Sequence, residues 1–148
     1  MHATTLLLER RHQVQELVAA MLHDEAAREG RQVELVDAVE SLVVIERAAM
    51  LLLATDDATT ESHRRAHDRA RGALSRIAAS AARSVTAAAC LRDLADVFGR
   101  RSCDLSDRLA AAFDDAELLR FGRRLVALVE GLARPRLRAP APHAAPLS

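Results

Sequence analysis

Residues 32–54 read QVELVDAVESLVVIERAAMLLLA, and this stretch decides the fold. Turned at about 100° per residue, it sets Glu34, Asp37, Glu40 and Arg47 on one polar stripe. Leu35, Val39, Leu42, Ala49 and Leu53 then share the opposite face. The stretch contains neither glycine nor proline and stops in Thr55-Asp56-Asp57. It predicts an amphipathic helix of about six turns. One residue breaks the pattern: Glu46 falls about 180° from Asp37, inside the apolar seam. A lone carboxylate in such a seam is costly unless it meets a cation, a metal ion or a proton donor.

The rest of the chain has the same character. A helix is expected from about Thr5 to Arg28, with Leu7, Val14, Val18, Met21 and Leu22 on one side and Gly30 as its breaker. The next starts at Thr59 or Thr60 and runs to about Ala82, with Leu74 and Ile77 at helical spacing. Ser84 or Thr86 can cap another that reaches Ala112. Asp114-x-x-Glu117 is a capping-box variant for a shorter helix ending near Gly131. No strand-like alternation competes. The expectation is all-α: an up-down-up-down four-helix bundle over residues 1–133, with the short fifth helix across one end or side. The end of the chain, 134–148, reads RPRLRAPAPHAAPLS and is expected to be an extended or disordered tail.

Composition narrows the function classes. The 148 residues are 50% hydrophobic and 28% charged, with 21 basic residues, all arginine, against 21 acidic ones. Aromatic residues are 2%, three Phe in all. A neutral chain nearly without stacking rings is not built as a general nucleic-acid binder. Cys90 and Cys103 would lie roughly 20 Å apart along one helix, beyond disulfide reach, which suits reduced thiols in the cytosol. The longest apolar stretch, Leu42–Ala54, is interrupted by Glu46 and Arg47, so no membrane span is expected. The N-terminus has no signal-peptide core. These features predict a soluble cytoplasmic protein. Arg64, Arg65, Arg69, Arg71 and Arg76 form a run that reads either as a solvated face or as an interaction surface.

Candidate chemistry gathers around Glu46. His63 and His67 are four residues apart, on the stripe continued by Ala70, Leu74, Ile77 and Ala81. Imidazoles at that spacing project in parallel and can chelate a metal ion, His67 being the better inward candidate. His12 sits one turn beyond Leu8, at the edge of the first helix's apolar face. Arg101 and Ser102 flank the Leu94, Phe98 and Leu105 face, and Arg101 either snorkels outward or turns in to meet Glu46. His2, His23 and His143 receive no role.

This arrangement resembles the haemerythrin-like (HHE cation-binding) family. The segments LLLERRHQVQELV (6–18), ESHRRAHDRARGALSRI (61–77) and FDDAELLRFGRRL (113–125) carry the likeness, which spans about residues 4–140. The resemblance implies a helical bundle around a non-haem di-iron centre that binds or senses oxygen, nitric oxide or peroxide, or handles iron. It implies that His12 matches the first-helix histidine, Glu46 the bridging carboxylate, and His67 and His63 the ligands of the third helix. Leu42 stands where the family has its second-helix histidine, and VFGRRSCDLSD (97–107) supplies no histidine for the fourth.

An intact di-iron centre is therefore not expected. Two alternatives stay open. In the first the core holds no metal, and Glu46 is either paired with His67, His12 or Arg101 or kept neutral. The vacated interior, with His12, Leu42, Phe98, Arg101 and Ser102 around it, is then a small-molecule pocket in which Glu46 and His67 form an acid/base pair. In the second, His12, Glu46 and His67 or His63 hold a single non-haem iron or zinc ion that binds, senses or reduces oxygen, nitric oxide or peroxide. No cofactor is the leading expectation. The expected partner is a small-molecule ligand, and a homodimer stands open because helical bundles self-associate readily.

Overall fold

The computed structural model describes residues 1–53, 58–99 and 104–138. Among them the chain forms seven helices and no strand: α1 (Ala3–His23), α2 (Glu25–Gly30), α3 (Gln32–Leu53), α4 (Ala58–Ala79), α5 (Val85–Gly99), α6 (Asp104–Ala112) and α7 (Asp115–Arg138). The all-α expectation holds.

Capping chemistry sets several of the boundaries. Asp24 has extended backbone, with φ −134° and ψ 111°; its N–H closes α1 onto the Ala20 carbonyl and its side chain accepts from Ala26 N. An aspartate competing in this way for a nearby N–H divides a helix, so the single helix expected over Thr5–Arg28 is two. Ser84 Oγ accepts from Ala87 N at 3.1 Å and starts α5 as its sequence suggests. Asp114 and Glu117 form the anticipated reciprocal cap, with Glu117 N donating to Asp114 Oδ1 at 2.8 Å and Asp114 N to Glu117 Oε1 at 3.4 Å.

Two helices end elsewhere than expected. The stretch read as one helix up to Ala112 comprises α5, ending at Gly99, and α6, starting at Asp104. α7 continues through Gly131 to Arg138, and so over the first residues of the expected tail. A mid-helix glycine costs only about 1 kcal/mol relative to alanine, too little to stop a helix by itself. Arg101, Ser102, Cys103 and residues 139–148 lie outside the described residues.

Packing runs in a ring, in which α1 touches α3 and α5 while α4 touches the same two helices. α6 and α7 both lie against α1 and α3. Two apolar clusters result. One joins Val14, Val18 and Met21 of α1 to Leu35, Val39 and Leu42 of α3, with Leu74 and Ile77 of α4 and Leu91, Leu94 and Phe98 of α5. The other joins Leu6 and Leu7 of α1 to Ile45, Ala49 and Met50 of α3, with Leu105 and Leu109 of α6 and Leu118 and Leu125 of α7. The chain start also presses on α7, where a Cβ on Gly122 would overlap the Met1 carbonyl.

Along α1 the two clusters meet between Leu7 and Val14, and along α3 between Val43 and Ile45–Ala49. Arg11 and Glu46 occupy those junctions and are both buried. A polar layer thus crosses a largely apolar interior. Among the described residues no helix is long and apolar enough to cross a membrane.

Candidate functional site

The polar layer is built from three helices. α3 supplies Glu46, 2% exposed, in the seam where its helical angle predicts it. α4 supplies His63 and His67, one turn apart, 3% and 1% exposed, with ring centroids 6.4 Å apart. α1 supplies Arg11 at 6% exposure.

These groups are joined through Glu46. Arg11 Nη2 donates to Glu46 Oε1 at 2.9 Å, and His67 Nε2 to Glu46 Oε2 at 3.1 Å. His63 Nδ1 lies 3.7 Å from the same Oε2. Arg11 Nη1 reaches across to the Phe98 carbonyl at 2.8 Å, which also accepts from Gln15 Nε2 at 2.7 Å. Phe98 is the next-to-last residue of α5, where helix carbonyls lack partners within the helix and a cation complements the dipole. The Arg11 guanidinium lies 5.7 Å from the centre of the Phe98 ring. It is therefore held by a carboxylate, a helix end and an aromatic ring together.

Burial pushes the Glu46 carboxyl up, since it disfavours the charged form. The His67 hydrogen bond and the charges of Arg11, His67 and His63 act the other way and together prevail, so the group is held below the ordinary carboxylate value. Glu46 is accordingly an anion that only accepts hydrogen bonds, which puts a proton on His67 Nε2. The other ring nitrogen, Nδ1, is buried and has no hydrogen-bond partner among the described residues.

A cavity of about 250 Å³ reaches this layer. Arg11, Glu46, His63 and His67 form its buried floor, Ala66, Val97 and Phe98 its apolar wall, and Ser62, Arg65, Arg69 and Asp96 the rest of its lining. Arg69 hydrogen-bonds Asp93 and Asp96 and so ties α4 to α5 beside the cavity. The arginine run of α4 is mostly matched locally: Arg64 and Arg65 face Glu61 at 3.6 and 3.5 Å, and Arg76 lies 3.7 Å from Asp93. That compensation suits a solvated face.

The sequence-expected residues divide accordingly. Glu46, His63, His67 and Phe98 come together at the cavity. His12 does not: its side chain is 69% exposed and pairs with Glu16 at 3.0 Å on the outside of α1. One residue is about 100° of helix, and the inward place beside Glu46 belongs to Arg11. The signal was present, because Leu7, Arg11, Val14 and Val18 follow a 4-3-4 spacing, whereas Leu8, which set the position of His12, is 43% exposed. An arginine in a seam ordinarily snorkels to water, so its spacing alone does not mark it as buried. Leu42 is fully buried in the first apolar cluster and is absent from the cavity lining. Arg101 and Ser102 lie outside the described residues.

Glu46, His63 and His67 each offer one ligand atom within 4.8 Å of the others, a grouping able to hold a metal ion. Compared with models of protein families, with curated proteins and with solved structures, the chain matches none. The site is therefore read from its own geometry.

Proposed function

We propose that this chain binds a small molecule in the half-open cavity above the polar layer and that Glu46 and His67 move a proton to or from that molecule. The observation carrying the reading is the hydrogen-bonded carboxylate–imidazole pair, 3.1 Å apart and buried, on the floor of a cavity of about 250 Å³. A carboxylate that fixes an imidazole by one nitrogen leaves the other unengaged, the division of labour seen wherever a base is oriented by a third group. In His67 that nitrogen, Nδ1, is buried, so the reading requires the ligand to be seated against it. Such a cavity lies below the roughly 300–1,000 Å³ of drug-sized sites, which favours a ligand of metabolite size. Its mixed lining suits a compound with one polar end for Arg11, His63 and His67 and an apolar body for Val97 and Phe98.

In this reading α1, α3, α4 and α5 are the arms of an up-down-up-down bundle of haemerythrin-like kind that lacks an intact di-iron centre. The ring of packing among those four helices supports the bundle. Two features argue against two metal ions. Leu42 is an apolar residue sealed among aliphatics, and the second oxygen of Glu46 is engaged by Arg11.

Ligand-observed NMR with a panel of small polar metabolites tests the proposal. Compounds should bind the wild type and be excluded by Ala66→Trp, which fills the cavity. For any hit that is turned over, folded Glu46→Gln and His67→Ala should each lower the rate by about 10²–10⁴-fold. A panel that never distinguishes wild type from Ala66→Trp overturns the reading. So does stoichiometric iron or zinc in tag-free, chelator-free wild-type protein, which would establish the mononuclear metal alternative on Glu46, His63 and His67.

A further inference from the structure

The charge layout at Glu46 contains more than the pocket reading uses. Glu46 Oε2 stands 3.1 Å from His67 Nε2 and 3.7 Å from His63 Nδ1. In a tetrahedral site with metal–ligand bonds of about 2.1 Å, neighbouring donors are about 3.4 Å apart. Both imidazole-to-carboxylate separations are thus close to those between ligands of one ion, and each of the three residues offers a ligand atom within 4.8 Å of the others. All three side chains are nearly sealed from water, at 4% exposure or less. The cavity reaches all three, which leaves room for a further ligand or water. Two histidines and a carboxylate with open positions suit zinc, cobalt or iron in the divalent state.

A different cation already stands there. Arg11 Nη2 is 2.9 Å from Glu46 Oε1, on the same carboxylate. A guanidinium does not lose its proton in a protein, so this charge cannot be discharged to admit another. Nor is it free to swing aside, since Nη1 is anchored on the Phe98 carbonyl at 2.8 Å and the group lies over the Phe98 ring. A divalent ion placed on Oε2 would sit within a few ångströms of a fixed positive charge, where water does little to screen the repulsion.

We infer that Arg11 is the resident cation of this cluster: its guanidinium neutralises Glu46 in place of a metal, and its removal opens a two-histidine, one-carboxylate site for a divalent transition-metal ion. The inference does not depend on which small molecule the cavity takes. It makes Arg11 the residue that keeps the chain metal-poor, and it identifies Glu46, His63 and His67 as a latent metal site one substitution from occupancy.

Titration of tag-free, chelator-treated full-length protein with Co²⁺ tests this, followed by visible absorption and calorimetry. Arg11→Ala should bind one Co²⁺ per chain at least about 100-fold more tightly than wild type, a coupling within the usual range between neighbouring sites. Arg11→Lys, which keeps the charge, should behave as wild type, and Arg11→Ala/Glu46→Gln should lose the gained site. Wild type saturating at one equivalent with the affinity of Arg11→Ala overturns the inference. So does a folded Arg11→Ala that binds no ion, or an Arg11→Lys that binds like Arg11→Ala. Because Arg11→Ala strands Glu46 and can unfold the chain, Arg11→Met, which keeps more of the volume, is melted beside it with and without Zn²⁺. Zn²⁺ should raise the melting temperature of both variants and not that of wild type. If both stay unfolded at every Zn²⁺ concentration, the metal does not replace the guanidinium and the inference fails.

Discussion

Among the described residues two arginines are buried, Arg11 and Arg28, and they are satisfied in opposite ways. Arg28, in α2, donates from Nε to the Met21 carbonyl at 2.6 Å, from Nη2 to Leu22 at 3.1 Å and from Nη1 to Ala82 at 3.4 Å. Met21 and Leu22 belong to the last turn of α1, whose carbonyls have no partner further along the helix. Arg28 therefore closes the α1–α2 corner against the middle of the α4–α5 connection, using backbone dipoles alone. Arg11 has one carbonyl and one ionised carboxylate, and beside that carboxylate stand two imidazoles and a cavity. The first arrangement holds helices in place. The second does so too, but it also gathers groups whose protonation can change where a ligand can reach them.

The comparison breaks most visibly when a carboxylate is lost. Glu46→Ala leaves Arg11 buried with a single carbonyl partner, and removing one member of a buried ion pair costs about 3–5 kcal/mol. Chemical denaturation should report a loss of that size. Arg11→Met/Glu46→Leu, which removes both charges and restores apolar volume, should recover most of it, because a buried pair is often no better than well-packed hydrophobic residues. A double variant no more stable than Glu46→Ala would show that the pair is favourable in its own right, and one as unstable as the sum of its single changes would show that the two side chains are not coupled.

Acid should act on the same contact in a defined direction. The Glu46 carboxyl lies below its ordinary value of 4.5 in the folded chain. The stability it contributes is therefore fully present above about 4.5 and is lost as pH falls through the lower folded value. Denaturation of wild type against Glu46→Gln should give a stability difference that is constant near neutrality and shrinks below pH 4.5. A difference that instead grew on acidification would mean the carboxyl is raised, not lowered.

Arg28 offers no comparable handle. Arg28→Met should cost about 1–3 kcal/mol, the penalty of leaving buried carbonyls without donors. Among the described residues no carboxylate pairs with Arg28, so no second substitution should rescue it, and its effect should not change over the acid range in which Glu46 protonates. Smaller still is the cap of α7. Asp114→Ala removes the acceptor of Glu117 N and should cost about 1 kcal/mol, leaving ligand or metal binding at Glu46 unaltered.

That cap, like most helix identities, was legible in the sequence because it is local: a side chain and a backbone N–H three residues apart decide it. Glu46 was legible for a related reason, since a residue about 180° off its helix's polar stripe needs no knowledge of other helices. His67 and His63 could be placed on a buried stripe in the same way. The split at Asp24 was missed because aspartate is tolerated in a helix and acts as a cap only in one backbone conformation. Arg11 was missed because its partners are 35 and 87 residues away. Periodicity says which way a side chain points, but not whether a distant carboxylate and a helix end stand ready to hold it.

His12 gives the finest test of that distinction. It adjoins Arg11 in sequence, and an imidazole is on general grounds the better metal or proton ligand of the two. Its side chain, however, is largely in water beside Glu16, and an exposed i,i+4 pair contributes about 0.3–0.5 kcal/mol. His12→Ala should therefore change stability by no more than about 0.5 kcal/mol. It should leave Co²⁺ binding by Arg11→Ala at one equivalent with unchanged affinity. If His12→Ala instead abolished that binding, α1 would have to turn by about one residue, roughly 100°, to exchange Arg11 for His12 at Glu46. Such a turn would also carry Leu7, Val14 and Val18 out of the two apolar clusters they now fill, and the aliphatic packing on either side of the polar layer opposes it.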